Sequence, residues 1–200
     1  AIHKSTEQVA EMYSYKFELK ENCNAKQLTN YTKNILKKEI SEAKALITGA
    51  NFLVSNTGTI VLTENEGNIL KSSSYSPIHI IVAGIDKLIT SMEELGVLLP
   101  LSSLYDVNKN IASLYSFINS PLNRDDNNQK LYLILLNNNR TELLSKDEQR
   151  SILSCIQCGA CIEVCPIYNT IGGHTYQEYN PGPVGSIAMP ILKGMEDTSH

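Results

Sequence analysis

Residues 155–166 read Cys155-Ile-Gln-Cys158-Gly159-Ala-Cys161-Ile-Glu-Val-Cys165-Pro166 and hold four of the five cysteines of the chain. The spacing, C-x2-C-x2-C-x3-C followed by proline, is that of bacterial iron–sulfur sites. A cysteine at every third residue of a tight turn directs successive thiolates at neighbouring iron corners of a cubane. Gly159 lets the backbone fold close over the sulfur atoms, and Pro166 stops the turn from continuing. We therefore predict a 4Fe-4S cluster at this run, with backbone N–H groups of the turn donating to its sulfur atoms.

The four cysteines of the run are not expected to bind the same cluster. In two-cluster ferredoxins the fourth cysteine of such a run ligates a different cluster from the first three. The pattern thus predicts that Cys155, Cys158 and Cys161 hold one cluster and that Cys165 reaches a second. Cys23 stands alone upstream and is interpreted as a structural thiol. Because the 200 residues contain no second run, we expect a piece of a longer two-cluster protein, itself holding at most one incompletely ligated cluster.

Zinc binding and disulfide formation are the two alternatives to an iron–sulfur cluster at these cysteines. A zinc site usually pairs two separated C-x2-C units, whereas three cysteines here are equally spaced with a fourth close behind. A disulfide framework needs an oxidising compartment, and the chain shows no secretory signal. The iron–sulfur interpretation is favoured, and zinc remains the main alternative.

The composition limits the classes of function and the compartment. The chain is 42% hydrophobic and 19% charged, with a net charge of −4. It has no basic stripe, which argues against nucleic acid. It also has no apolar run near the roughly 20 residues of a membrane helix. Thiolate ligands require a reducing interior, so the cytoplasm is the expected location.

The first 145 residues show the pattern of an α/β domain. Capping residues at Ser5 and Asn24 predict two amphipathic helices, the first ending near Phe17. Short apolar runs separated by turn signals then predict the strands of one sheet, covered on both faces by helices and containing both Ile60 and Ile80. The predicted strands are residues 45–47, 52–54, 60–62, 78–82, 111–118 and 131–136.

The segments between and after these strands carry further signals. Ser91 begins a helix that Pro100 ends or kinks. Residues 119–130 form a loop, residues 137–139 a sharp turn, and residues 146–153 a charged helix leading to the cysteine run. The domain boundary is placed near residue 145, giving an α/β domain at 1–145 and a cluster domain at 146–200.

Candidate ligand-binding residues lie at two predicted strand ends. They are Thr48, Gly49, Thr57, Gly58 and Thr59. Free N–H groups and hydroxyls at such positions can hold a carboxylate or phosphate. The alternative is that the glycines only permit tight turns, and the absence of an accompanying cation favours it.

Four other polar residues, Glu64, Glu66, His79 and His174, are candidates for a role. Glu64 and Glu66 are two residues apart and would share a face of a continued strand, but we interpret them as solvated turn residues and not as an acid/base pair. His79 lies inside an apolar run and is interpreted as a packed core residue. His174 follows two glycines, so it is either a structural residue or one that approaches the cluster and tunes its potential. Tyr176, Tyr179 and the turn at residues 181–183 are expected to pack over the cluster.

The residues of several segments together resemble a known family. Residues 47–68, from Ile47-Thr-Gly-Ala-Asn to Asn-Glu-Gly-Asn68, and residues 77–87, Pro-Ile-His-Ile-Ile-Val-Ala-Gly-Ile-Asp-Lys, are similar to the LUD domain of bacterial L-lactate utilisation proteins. The cysteine run, the Ile-Gly-Gly-His segment at 171–174 and the segment at 179–185 continue the likeness. In this order they resemble the iron–sulfur subunit of that system, the LutB/LldF family.

The resemblance implies a fold, a function and partners. It implies an α/β fold shared with sugar-phosphate isomerases and CoA transferases, followed by a helical ferredoxin-type domain. It implies a cytoplasmic three-protein complex that oxidises L-lactate to pyruvate, with two 4Fe-4S clusters in this subunit and LutA/LldE-like and LutC/LldG-like partners. The chain departs from the family in three ways. The start of the LUD domain is missing, so its sheet should be incomplete. The second cysteine motif is also missing, and Asn56 replaces a common acidic residue.

Two functions follow as hypotheses. The first is a non-catalytic electron-transfer subunit that relays electrons from lactate through its clusters, with the lactate site on another chain. The second is a ligand-binding α/β domain whose cluster is structural or senses redox state. Reduction of the cluster by lactate in the assembled complex distinguishes the two.

Overall fold

The computed structural model describes residues 5–17, 23–65, 67–106, 114–122, 128–176 and 181–193, with the side chains of residues 105, 106 and 174 excepted. Some predictions fall outside these residues. They concern Glu66, residues 111–113 of a predicted strand, residues 123–127 of a predicted loop, Tyr179, and the side chain of His174.

Two helices open the described chain, as predicted. Helix α1 covers Thr6–Phe17 and helix α2 covers Ala25–Glu42. Asn24 caps α2, because its side chain accepts from Gln27 N at 2.9 Å while the Gln27 side chain accepts from Asn24 N at 2.9 Å. The two helices pack through Tyr13, whose hydroxyl lies 2.9 Å from Thr32 Oγ1. Cys23 lies in the connector between them, where the sequence placed it.

Seven strands follow among the described residues, and they form two sheets instead of the predicted one. The strands are β1 (Ala45–Gly49), β2 (Phe52–Val54), β3 (Thr59–Glu64), β4 (Ile78–Gly84), β5 (Leu88–Ile89), β6 (Leu114–Ile118) and β7 (Lys130–Leu136). One sheet has the order β1-β4-β7 and is parallel, and the other has the order β5-β2-β3-β6. Ile60 lies in the second sheet and Ile80 in the first, so the prediction of one sheet containing both was wrong.

The chain passes from the first sheet to the second at the two residues between β1 and β2. Ala50 N donates to Val82 O of the parallel sheet at 3.3 Å, whereas Asn51 N donates to Val61 O of the other sheet at 2.9 Å. A two-residue connection cannot bring the chain back to a parallel neighbour, which requires a long crossover. The chain therefore turns out of the first sheet, and β2 pairs with β3 as an antiparallel hairpin.

The core lies on both faces of the β2–β3 hairpin. Phe52, Val54 and Val61 pack with Leu95 and Leu99 of the following helix. The alternate residues Leu53, Ile60 and Leu62 pack with Ile81 and Ala83 of β4. Both faces of these strands are covered, but the prediction that helices cover both was wrong, because α4 covers one face and the parallel sheet covers the other. Strand β7 differs, since most of its side chains are exposed.

Two helices connect the strands. Helix α3 (Asn68–Tyr75) was not predicted, and Glu64 stabilises its start. The Glu64 carboxylate accepts from Ile69 N at 2.6 Å and Leu70 N at 2.8 Å and is only 6% exposed, so its interpretation as a solvated turn residue was wrong. Ser91 and Glu94 form the predicted capping box, and a 3-10 turn there continues into α4 (Leu95–Asp106). Pro100 lies inside α4 and does not end it.

The remaining described chain is built of short helices. They are α5 (Arg140–Leu144), α6 (Ala160–Glu163), α7 (Pro166–Ile171) and α8 (Gly182–Lys193), with 3-10 turns at Arg150–Ser154 and Gly173–Tyr176. The predicted sharp turn is confirmed, since Asn138 and Asn139 have φ angles of 40° and 62°. The predicted charged helix at 146–153 was wrong, because this segment lacks an apolar stripe and forms turns followed by the 3-10 segment.

A small core joins the last described helix to α5. Leu143, Ala188 and Leu192 are buried together, with Ile152 and Leu153 packed against them. None of the described helices has the length and apolarity that a membrane crossing requires.

Candidate metal centre

The four cysteines of the run lie on four successive local structures. Cys155 ends the 3-10 turn at Arg150–Ser154, Cys158 lies in the following loop, Cys161 lies in α6, and Cys165 is the N-cap of α7. All four are free thiols and partly buried. The donor set is therefore four soft sulfur ligands within eleven residues, which suits iron–sulfur chemistry.

Two residues with left-handed backbone shape the loop around Cys158. Gln157 has a φ of 60° and Gly159 a φ of 81°. This conformation is strained for Gln157 but open to glycine. Ile162 N then donates to Gly159 O at 2.8 Å, which closes the first turn of α6. Gly159 thus permits a tight turn between the cysteines, and its close approach to cluster sulfur atoms stays a prediction.

Pro166 and Tyr168 define the environment of Cys165. Pro166 is the first residue of α7, where a missing N–H costs no hydrogen bond, and it separates α7 from α6. Tyr168 N donates to Cys165 Sγ at 3.5 Å. A backbone donor of this kind fixes the orientation of the sulfur atom at the start of α7.

The segment after α7 contacts both α6 and α7, and its predicted packing over a cluster stays a prediction. Gly182, with a φ of 87°, packs so closely that an added Cβ would lie 3.0 Å from Ile162 Cγ1, between Cys161 and Cys165. Tyr176 stacks on Tyr168 with ring centroids 6.0 Å apart. His174 lies in the 3-10 turn at Gly173–Tyr176, and its role near a cluster stays a prediction.

The donor chemistry and the spacing of the thiols bear on the kind of metal group that they suit. Within the described ranges, no three or more His, Cys, Asp or Glu side chains are grouped so that they could hold one metal ion. Four soft thiolates suit iron–sulfur chemistry and zinc alike. The C-x2-C-x2-C-x3-C-P spacing is the observation that favours an iron–sulfur cluster.

A second group of charged residues lies beside the cysteine loop, at the carboxyl edge of the parallel sheet. Asp86 and Lys87 follow the end of β4, and Arg140 follows the end of β7. Arg140 Nε donates to Asp86 Oδ1, and both side chains are largely buried, 16% and 11% exposed. Gly84 leaves the room for this ion pair, because a Cβ there would overlap Asp86 Oδ1.

Lys87 connects this edge to the cysteine loop. Its Nζ donates to Gln157 Oε1 at 3.0 Å. Burial lowers the pKa of Lys87, and Arg140 adds to that effect, while the charges of Asp86 and Cys155 oppose it. Ile156 of the same loop packs against the core that contains Phe52 and Leu95. Sequence reasoning missed these contacts, and the only available signal was the position of Lys87 directly after an apolar strand.

A cavity of about 620 Å³ opens between the sheet edge and the loop. Lys87, Arg140, Arg150 and Cys155 line it, together with apolar side chains such as Leu98. Carboxyl ends of parallel strands are the usual ligand-binding edge of α/β sheets. A cavity at this place and of this size is able to receive a small molecule.

The predicted ligand-binding residues lie elsewhere. Thr48 is buried, and its Oγ1 lies 2.9 Å from His79 Nε2. Thr57 and Gly58 are in the turn between β2 and β3, and Thr59 Oγ1 lies 2.7 Å from Thr57 Oγ1. None of the five predicted residues, Gly49 included, lines the 620 Å³ cavity. Thr48 and Gly49 belong to the parallel sheet, whereas Thr59 belongs to the other sheet. Ligand binding by these residues stays a prediction.

His79 is a packed core residue, as predicted. It is 1% exposed, and burial lowers its pKa. It also lines a second cavity of about 630 Å³, with Gln129 and Asn119 among the polar lining residues. This cavity lies toward the amino ends of β4 and β7, because His79 and Gln129 are near the starts of these strands.

The lowered pKa of His79 gives a testable pH dependence. An unfolded histidine regains its ordinary pKa of about 6.5 and binds a proton below that pH, whereas the folded imidazole stays neutral to lower pH. We expect the free energy of unfolding to fall as the pH decreases below about 6.5 and to be unaffected by this group above it. His79→Gln should reduce this acid sensitivity in urea unfolding at pH 8 and pH 6. The same loss between the two pH values in wild type and variant would contradict the assignment.

The fold and the cysteine loop define an α/β domain joined to a short-helical, cysteine-rich unit of the iron–sulfur class. The chain belongs to the LUD domain family, whose family model matches residues 1–135. A second model, described as a 4Fe-4S dicluster domain, matches residues 151–199 and supports an iron–sulfur cofactor at the cysteine run.

Curated relatives cover almost the whole chain. It is 35% identical to lactate utilization protein B of Bacillus cytotoxicus over 199 residues, which is 98% of this chain and 42% of that protein. Proteins of the same name from Bacillus pumilus and Shouchella clausii are 34% and 33% identical, also over 98% of this chain and 42% of their own length. The chain thus spans about two fifths of the relatives that it matches.

A solved structure is also similar. It is a DUF162 family protein from Deinococcus radiodurans, 20% identical, with a TM-score of 0.36 over 49% of this chain and 56% of that chain. At this TM-score we draw no conclusion from it.

Proposed function

We propose that the chain is part of the iron–sulfur electron-transfer subunit of a cytoplasmic complex that oxidises L-lactate to pyruvate. The observation that carries the proposal is the loop of four free cysteines with left-handed backbone at Gln157 and Gly159. The relatives named lactate utilization protein B support the metabolic assignment. The two partner subunits implied by the resemblance are part of the same proposal.

The cysteines are assigned to two clusters. Cys155, Cys158 and Cys161 would hold one 4Fe-4S cluster, and Cys165 would contribute to a second whose other ligands lie outside these 200 residues. When bound, such clusters accept and release single electrons. Oxidation of a 2-hydroxy acid releases two electrons, so two single-electron carriers suit the reaction.

The chain's own residues prepare this loop for ligation. Gly159 permits the tight turn, and Tyr168 N donates to Cys165 Sγ. Ile162, the neighbour of Cys161 in α6, packs against Gly182, which fixes α6 against the start of α8. These contacts reduce the conformational freedom that the loop would lose on ligation. We place the oxidation of lactate itself on another subunit, since the sequence offers no convincing hydride acceptor.

We also propose that the cluster domain begins near residue 145. Support comes from the matches to the two family models, of which the first ends at residue 135 and the second begins at residue 151. Helix α5 lies between these limits, and its Leu143 packs with α8.

A second function, ligand binding by the α/β domain with a structural or redox-sensing cluster, is favoured by the 620 Å³ cavity. In that case the ligand would lie between the sheet edge and the cysteine loop, and its binding would alter the surroundings of Cys155.

The proposed function predicts that L-lactate reduces the assembled complex. The anaerobically purified whole protein should contain iron and sulfide and absorb visible light, as iron–sulfur clusters do. Adding L-lactate to the complex should bleach this absorbance, because the electrons of lactate enter the clusters. D-lactate serves as the control. Zinc in place of iron would contradict the metal assignment, and clusters that lactate leaves oxidised would contradict the relay and favour the second function.

A further inference from the structure

The cysteine loop is not held by the helical unit alone. Two adjacent residues of the loop, Ile156 and Gln157, contact the α/β domain, and Gln157 is the residue with the strained backbone. Ile156 packs against the core of the β2–β3 hairpin, and the Gln157 side chain accepts a hydrogen bond from Lys87. The contact joins residues 70 positions apart in the sequence.

Lys87, the hydrogen-bond donor in this contact, belongs to a turn that is fixed to the sheet. Lys87 lies in the 3-10 turn Ile85–Lys87, directly after β4. Asp86 in the same turn is tied to Arg140 after β7, so the turn is fixed to the ends of two neighbouring parallel strands. A side chain that begins on such a turn loses little additional freedom when it forms a hydrogen bond.

The charge of Lys87 has no carboxylate partner within the described ranges. The ion pairs there are Arg140–Asp86, Lys146–Glu142 and Arg150–Asp147. Lys87 is partly buried, and its direct acceptor is the neutral amide oxygen of Gln157. Asp86, which Arg140 already pairs, and after it Cys155 are the groups whose negative charge would stabilise its ammonium group. Cys155 also lines the same cavity as Lys87.

We propose that Lys87 is a positioning residue of the metal centre, which holds the Cys155–Cys158 loop through Gln157 and balances the negative charge of the ligating thiolates. This inference rests on the proposed iron–sulfur function. It makes the α/β domain a part of the cluster site, since the ammonium group comes from the carboxyl edge of the parallel sheet. Removing the charge should loosen the loop and make reduction of the nearby cluster less favourable.

The test compares Lys87→Met with Lys87→Arg and Lys130→Met in the whole protein. Lys130 is an exposed lysine at the opposite, amino end of β7, so its variant controls for the loss of a positive charge. Hydrogen exchange of the amides of residues 155–159 in the metal-free protein measures loop order. Loss of a hydrogen bond to a charged group predicts about tenfold faster exchange in Lys87→Met. The two other variants should exchange like the wild type.

The reduction potential of the anaerobically reconstituted protein gives the second measurement. It should be lower in Lys87→Met than in the wild type and unchanged in Lys130→Met, and Lys87→Arg should restore it. Exchange in Lys87→Met equal to that of Lys130→Met, or equal potentials in these two variants, overturns the proposal. If no preparation binds iron, the proposed function fails, and the exchange measurement alone decides the role of Lys87.

Discussion

Cys158→Ser in the whole protein is expected to abolish one cluster and leave the other, and Cys165→Ser is expected to do the reverse. Cys158 belongs to the equally spaced triplet, whose thiolates would share a cluster, whereas the fourth cysteine of such a run reaches a different one. Cys158 lies in the loop shaped by Gln157 and Gly159, but Cys165 begins a separate helix, α7. Paramagnetic resonance of the reduced protein can follow the two signals separately.

The control for this pair of variants is Cys23→Ser. Cys23 is a partly buried free thiol in the connector before α2 and is not part of the run. Its replacement should leave both signals intact. If Cys158→Ser and Cys165→Ser remove the same signal and spare the same other one, the ligation is not crossed and the assignment of Cys165 is wrong.

Crossed ligation also predicts how well the 200-residue chain binds a cluster by itself. Its triplet would lack a fourth thiolate, so a cluster there must complete its coordination with water, an added thiol or Cys165. An open iron corner is labile and exposed to oxidation, and the free thiols oxidise with it. The chain by itself should therefore bind at most one cluster under anaerobic reconstitution and little after exposure to air, as iron and sulfide analysis would show.

The parts of the fold that local patterns determine were predicted correctly. The capping boxes at Asn24 and Ser91 begin helices at the expected residues. The apolar runs of β3 and β4 form strands, because branched residues bounded by turn signals have few alternatives. The cysteine spacing placed Gly159 in a tight turn, and this too is a local property.

The failures come from contacts that the local pattern does not contain. The chain leaves the parallel sheet between Ala50 and Asn51, and this bend depends on which strands lie nearby. Helix α3 has the weak helix-forming sequence NILKSSSY and depends on the Glu64 carboxylate for its first turn. The contact between Lys87 and Gln157 has no sequence signal, because it exists only once the loop lies on the sheet edge.

The ion pair between Asp86 and Arg140 shows how much the sheet edge depends on one such contact. Both side chains are largely buried, and Arg140 Nη1 also donates to Asn137 O at 3.3 Å. Removing one member of a buried pair leaves the other charge without its partner in a poorly solvated place. We expect Arg140→Met to lower the free energy of unfolding by about 3 kcal/mol.

Urea unfolding of the metal-free whole protein measures this loss, with Arg150→Met as the matched control. Arg150 pairs with Asp147 at 3.0 Å, but the two side chains are 58% and 86% exposed. An exposed pair of this kind contributes less than about 1 kcal/mol. The double variant Asp86→Asn, Arg140→Met should be more stable than Arg140→Met alone, because it removes the unpaired charge. A cost for Arg140→Met no larger than that for Arg150→Met would show that the pair does not hold the sheet edge together.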